Sequence, residues 1–153
     1  MEYLIKVHSI LRWWLLAAAI VAIAKAYLGM QRKTPANNWD NRVSLMLIGV
    51  SDIQLIVGLI LYFTSGLGLN NFLNNGMSFV MHDAYSRFFA MEHILMMIIA
   101  IAIMHVGRVK SKKAILDLDK HKKAFWYYLI ALLIILASIP WPFRKGFEAL
   151  GWI

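Results

Sequence analysis

DAYSRFFAMEHILMMIIAIAIMHVGRV, residues 83–109, decides the fold. The stretch is long enough to cross a bilayer, which takes about 20 apolar residues at 1.5 Å rise each. It nevertheless carries Arg87, Glu92, His93 and His105 among its Met, Ile and Ala residues. Ionisable groups within a span are costly, and they face a bundle interior, a cavity or a cofactor. A plain hydrophobic anchor would not need them, so the chemistry of the chain is expected around this helix.

The rest of the chain has the same character. Of 153 residues, 61% are hydrophobic and only 16% are charged, with a mean hydropathy of +0.63. A soluble domain carries about 25% charged residues, so the composition predicts an integral membrane protein. The absence of Cys excludes disulfides, thiolate ligands, cysteine nucleophiles and covalent haem attachment. The formal charge of +8 gathers in loops beside apolar stretches, the pattern that sets membrane orientation rather than one that binds nucleic acid. The opening stretch MEYLIKVHSILRWW continues apolar to Met30, too long for a signal-peptide core, and is read as a permanent first span.

Four spans are expected, at about residues 3–30, 43–65, 83–109 and 124–143 of a single membrane domain over 1–153. In the first, His8, Arg12, Leu15, Ala19, Ala22 and Ala26 share one face. Small residues let helices approach closely in lipid, so this is a helix-contact face that begins with a His and an Arg. In the second, Ser44, Ser51 and Gly58 recur every seven residues as another close-packing seam, with Asp52 about 100° away. GLGLNNFLNNGMSFVMH, residues 66–82, reads as a loop with a short interfacial segment around Met77 to Met81. Trp126, Tyr127 and Tyr128 at one end of the fourth span and Trp141 and Phe143 at the other form aromatic belts. Pro140 and Pro142 mark its exit, and the tail RKGFEALGWI is expected on the surface. Arg32, Lys33 and Arg42, then Arg108, Lys110, Lys112, Lys113, Lys120, Lys122 and Lys123, place two connections on the cytoplasmic side and both termini outside. The fold expected is an all-α, antiparallel four-helix transmembrane bundle.

Counting rise per residue puts Arg12 and Glu92 both roughly 12 Å from the outer end, with His93 beside them and Asp52 and Gln54 about a turn deeper. Arg12, Asp52, Gln54, Glu92 and His93 are therefore expected to meet in one buried, charge-balanced cluster, with Arg87 a turn above and His105 far away. One reading is structural, an ion-pair network that fixes helix register, with the span-three Met residues as packing filler. The other is ligation. Imidazoles from facing helices hold b-type haem, and without CxxCH such a haem would be non-covalent. His93 is the best candidate axial ligand and His8 its best partner on another helix, with Arg12 or Arg87 to pair with propionates. His93 and His105 lie about 120° apart around their helix, which favours one haem over two. His82 and His121 read as interfacial. Asp52, Glu92 and His93 also fit a hard-metal or proton-relay set, although adjacent Glu-His is not the Glu-x-x-His spacing of di-iron bundles.

HSILRWW near the start, DIQLIVGLILYF, RFFAMEHILMMIIAIAIMHVGRVKSKKA and HKKAFWYYLIALLIILASIPWPF resemble a family of small bacterial four-helix membrane proteins labelled cytochrome b or cytochrome b-like. The resemblance covers nearly the whole chain. It implies a bacterial inner-membrane location, with His8, Arg12, Arg87, Glu92 and His93 as motif residues and haem b as cofactor. The expected function is membrane electron transfer towards quinol or a redox partner protein. Two alternatives stand beside it. One is a non-enzymatic accessory or assembly subunit of a membrane complex with a purely structural polar cluster; the other is a small proton or solute transporter centred on Asp52 and Glu92. The outer surface of four helices also leaves room for a homo-oligomer.

Overall fold

A computed structural model describes residues 1–152, and their regular structure is helical throughout. The order is α1 (Glu2–Arg32), α2 (Asn38–Thr64), α3 (Leu69–His82), α4 (Ala84–Lys112) and α5 (Asp117–Ser138). Within α4, Phe88–Glu92 forms a π-helical turn. Helices α1, α2, α4 and α5 are each long and apolar enough to cross a bilayer, and the chain is a multi-pass membrane protein. Short connections make α1 and α2, and α4 and α5, antiparallel pairs, and the segment carrying α3 links the two pairs. They form a ring in which α1 packs on α2 and α5, α5 packs most extensively on α4, and α2 against α4 is the loosest seam.

Side chains are sorted as lipid demands. On α1, Ala18, Ala19, Ala22, Ala26 and Gly29 are buried, while Ile20, Val21 and Leu28 face outward. With no water to drive helices together, small residues at the contacts bring backbones within van der Waals reach. Gly29 and Gly107 take this furthest. A Cβ at Gly29 would lie 2.5 Å from the His121 ring, and one at Gly107 would lie 2.3 Å from Tyr127 Cβ. The seam expected on α2 is also placed inside: Ser51 is buried, Ser44 bonds Tyr128 across to α5, and Gly58 lies under His8.

Helix ends depart from the expected spans for local reasons. The second starts at Asn38 rather than residue 43, because Asn37 and Asp40 form a reciprocal capping box. The fourth is shifted back to Asp117–Ser138. Pro140 pushes Ile139 into extended backbone (φ −77°, ψ 132°), so the helix cannot reach residue 143. Residues 66–82, expected as a loop, are mostly helical as α3, broken at Gly76, whose φ of +82° lies in the left-handed region. Asp83 then caps α4, accepting from the Ser86 N–H at 2.8 Å. The tail lies largely exposed on the surface, as expected, and is anchored there by buried Phe147 and by Trp152 against Trp13 and Trp141.

Candidate functional site

Near the end of the bundle that carries both termini, the four spans part around an apolar cavity of about 270 Å³. His8 and Arg12 come from α1, Gln54 and Gly58 from α2, His93 from α4, and Ile139 and Pro140 from the exit of α5. The His8 and His93 rings face each other edge to face, with centroids 6.3 Å apart and planes at 73°.

His93 owes its placement to two sequence features. The first is the π turn. The His93 N–H donates to Phe88 O, one residue further back than in an α-helix, which shifts the phase of everything after it. The second is the stop of α5. The last carbonyls of a helix have no partner within it, and here side chains complete them. Leu136 O accepts from Trp141 Nε1 at 2.9 Å, Ala137 O from Arg144 at 3.2 Å, and Ser138 O from His93 Nδ1 at 2.7 Å. Pro142 stands four residues after Ser138, so an N–H to compete for that carbonyl is lacking in any case. The bond fixes the tautomer of His93, with the proton on Nδ1 and the Nε2 lone pair free.

On the facing wall, the Gln54 amide donates to His8 O at 3.1 Å and lies 3.3 Å from His8 Nε2. Arg12 donates to Trp152 O at 2.6 Å, and its guanidinium lies over the Trp13 and Trp141 rings. Among the described residues, three buried side-chain polar atoms have no hydrogen-bond partner, and all belong to residues lining this cavity: His8 Nδ1, Arg12 Nε and Gln54 Oε1. Buried polar atoms are almost always paired, so three orphans around one cavity single it out as the candidate site.

The single cluster of Arg12, Asp52, Gln54, Glu92 and His93 does not form. It divides into three. Only Arg12, Gln54 and His93 reach the cavity, joined by His8. Asp52 stands two residues from Gln54, about 200° around α2, and it accepts from His105 Nε2 at 2.8 Å on the loose α2–α4 seam. His105 is therefore not remote from the polar residues but the partner of one of them. Glu92 accepts from Arg87 Nε at 2.8 Å, and Arg87 also donates to Met81 O. Five residues are about 140° apart on an α-helix, and the π turn between them is what brings this pair together. Asp52 and Glu92 are 43% and 44% exposed at the side chain, so neither belongs to a buried network, and Arg87 is committed away from the cavity. His121, expected at the interface, is buried against Gly29 and donates from Nε2 to Thr34 O at 3.0 Å. Gly58, Ser138 and Trp152 complete the site; Gly58 was anticipated only as a packing position, and Ser138 had a signal in the proline four residues later, whereas Trp152 had none.

Fold and site together define a multi-pass membrane protein built on a four-helix bundle, with a His pair and an Arg on an intramembrane cavity. Comparison with known proteins finds no matching family model, curated protein or solved structure.

Proposed function

We propose that the protein holds one b-type haem between His8 and His93 and works as a membrane electron carrier exchanging with quinol or a redox partner. The observation that carries this reading is the imidazole pair on the wall of an apolar cavity, with His93 Nδ1–H bound to the Ser138 carbonyl. A backbone carbonyl accepting from the far ring nitrogen is the usual companion of a metal-bound histidine, fixing its tautomer and raising its basicity. The donor set also selects among metals. Zinc needs three or four protein ligands, whereas among the described residues no three His, Cys, Asp or Glu side chains converge. Two imidazoles suffice where a porphyrin supplies the remaining positions.

Bound haem would supply one-electron redox chemistry at its iron. The chain's own residues orient and insulate. Ser138 holds His93, Gly58 leaves room for the His8 ring, and Ile94, Met97 and Ile135 keep the lining apolar. Arg12 rather than Arg87 fits the propionates, because Arg12 lines the cavity, with Nε unpartnered among the described residues, while Arg87 is off the cavity and bound to Glu92 and Met81. The orientation that accompanies this reading has both termini outside the bacterial inner membrane, as the basic connections favour.

Protein purified from haem-replete cells should show Soret and alpha bands of a six-coordinate b-type haem. Those bands should be lost in His93→Ala and in His8→Ala but kept in His105→Ala. A colourless protein that takes up no added haem would end this reading.

One observation favours a second reading, that of an accessory subunit. Asp52 and His105 form an ionisable pair with half-exposed side chains well inside two spans. Such pairs in lipid are expensive unless covered, and a helix of a larger complex would cover this one. Asp52→Asn with His105→Asn should then release the chain from that complex on native gels. A chain that migrates alone before and after the change would count against it.

A further inference from the structure

The opposite end of the bundle holds a second cavity, of about 310 Å³, which the redox reading does not use. All four spans contribute to it, including Lys25 from α1, Ser44 from α2, Arg108 and Lys112 from α4, and Lys120 from α5. Four cations therefore face it against one lining carboxylate, Asp40. Two of the cations are neutralised. Lys25 pairs with Asp40 at 3.0 Å and Lys120 with Asp117 at 2.8 Å. Arg108 touches only the neutral amide of Asn41, at 3.2 Å, and Lys112 has no carboxylate within salt-bridge distance among the described residues. Two unopposed positive charges on the wall of a polar cavity call for an anion.

Depth narrows the choice of anion. Trp39 and Trp126 are largely exposed, and Lys110 reaches the Tyr127 hydroxyl at 2.8 Å, all at this end of the bundle. Exposed Trp and Tyr mark the level of lipid head groups. Seen from the bundle centre, the cavity begins where the apolar core ends, beyond Ala22 and Val43 and at Tyr128. A cation-lined opening between spans at this depth suits a phosphate whose lipid tails remain outside. The guanidinium of Arg108 can take two phosphate oxygens side by side, and Lys112 supplies a mobile point charge. The cradle itself is rigid. His121 is fixed on Gly29 and Thr34 O, the Tyr128 and Ser44 hydroxyls are bonded to each other, and Ser111 Oγ donates to Lys120 O at 2.8 Å.

We infer that this cavity is a phosphate-binding site, occupied by the head group of an anionic phospholipid and centred on Arg108 and Lys112. The test uses the full chain in phosphatidylcholine nanodiscs, with phosphatidylglycerol added in one arm and inorganic phosphate in another. Phosphatidylglycerol should raise the thermal midpoint. Arg108→Gln with Lys112→Gln should weaken its apparent affinity by about tenfold or more. Lys113→Gln with Lys122→Gln, which removes equal charge from exposed positions off the cavity, should leave it unchanged. Stabilisation by inorganic phosphate at comparable concentration would keep the site but assign it to a free anion. Equal losses in both double variants would mean diffuse surface charge, and no stabilisation by either probe would mean no site; both results overturn the proposal. Should the Arg108/Lys112 variant fail to fold, native mass spectrometry of the wild type decides instead. It should retain phosphatidylglycerol in preference to phosphatidylcholine, and equal retention would again overturn the proposal.

Discussion

The two cavities lie in one bundle and are built on opposite principles. At the basic end the polar groups are largely matched: Lys25 with Asp40, Lys120 with Asp117, Ser44 with Tyr128, His121 with Thr34 O. What remains there is net charge. At the other end the lining is apolar, and what remains, among the described residues, is three buried polar atoms with no partner. A matched wall holds helices together whether or not a ligand is bound, and its surplus charge can be met by any anion of the right size. A wall with orphaned atoms is incomplete by itself, since each unpaired group costs about 1–3 kcal/mol. The difference teaches where polar groups are matched by the fold itself and where they are left unmatched.

The largest effect should come from crowding the matched end. Gly29→Val would drive a side chain into the His121 ring, which sits 2.5 Å from where its Cβ would lie. A loss of about 3 kcal/mol is expected in reversible detergent unfolding, and a neutral result would show that His121 is not held there.

An intermediate effect tests a single bond at the same end. Tyr128→Phe leaves the Ser44 hydroxyl without its partner between α2 and α5, with an expected loss of about 1–2 kcal/mol and no change in any haem spectrum. A spectral change would mean that the two cavities are coupled, and the contrast drawn between them would fail.

The smallest effect belongs to the incomplete end. Gln54→Leu removes an orphaned acceptor along with one donor to a helical carbonyl, and the two should nearly cancel in protein without cofactor, to within about 0.5 kcal/mol. A cost as large as that of Tyr128→Phe would make Gln54 part of a structural network, and the distinction between the cavities would disappear.

How far the site was legible depended on spacing along single helices. His8, Arg12 and the small residues after them share one face of α1 at intervals of three and four, and that face does turn inward. His93 was legible as a polar residue deep in an apolar run. The assignment of Asp52 and Glu92 to the same place failed because depth alone does not fix direction. Asp52 and Gln54 lie at nearly the same depth on opposite sides of α2. Glu92 was turned towards Arg87 by a π turn that no residue pattern announces.

The sequence by itself determined that four long apolar segments must become helices, because backbone N–H and C=O groups in lipid have to be paired within the segment that carries them. It also determined that small residues line the contacts, and that Pro140 and Pro142 stop the last helix. Tertiary structure alone decided which polar side chains meet. Rotation about each helix axis is set by packing against its neighbours, and a change of one residue in phase swings a side chain by about 100°. That phase, set in α4 by the π turn, is what faces His93 with His8 and leaves Asp52 to His105.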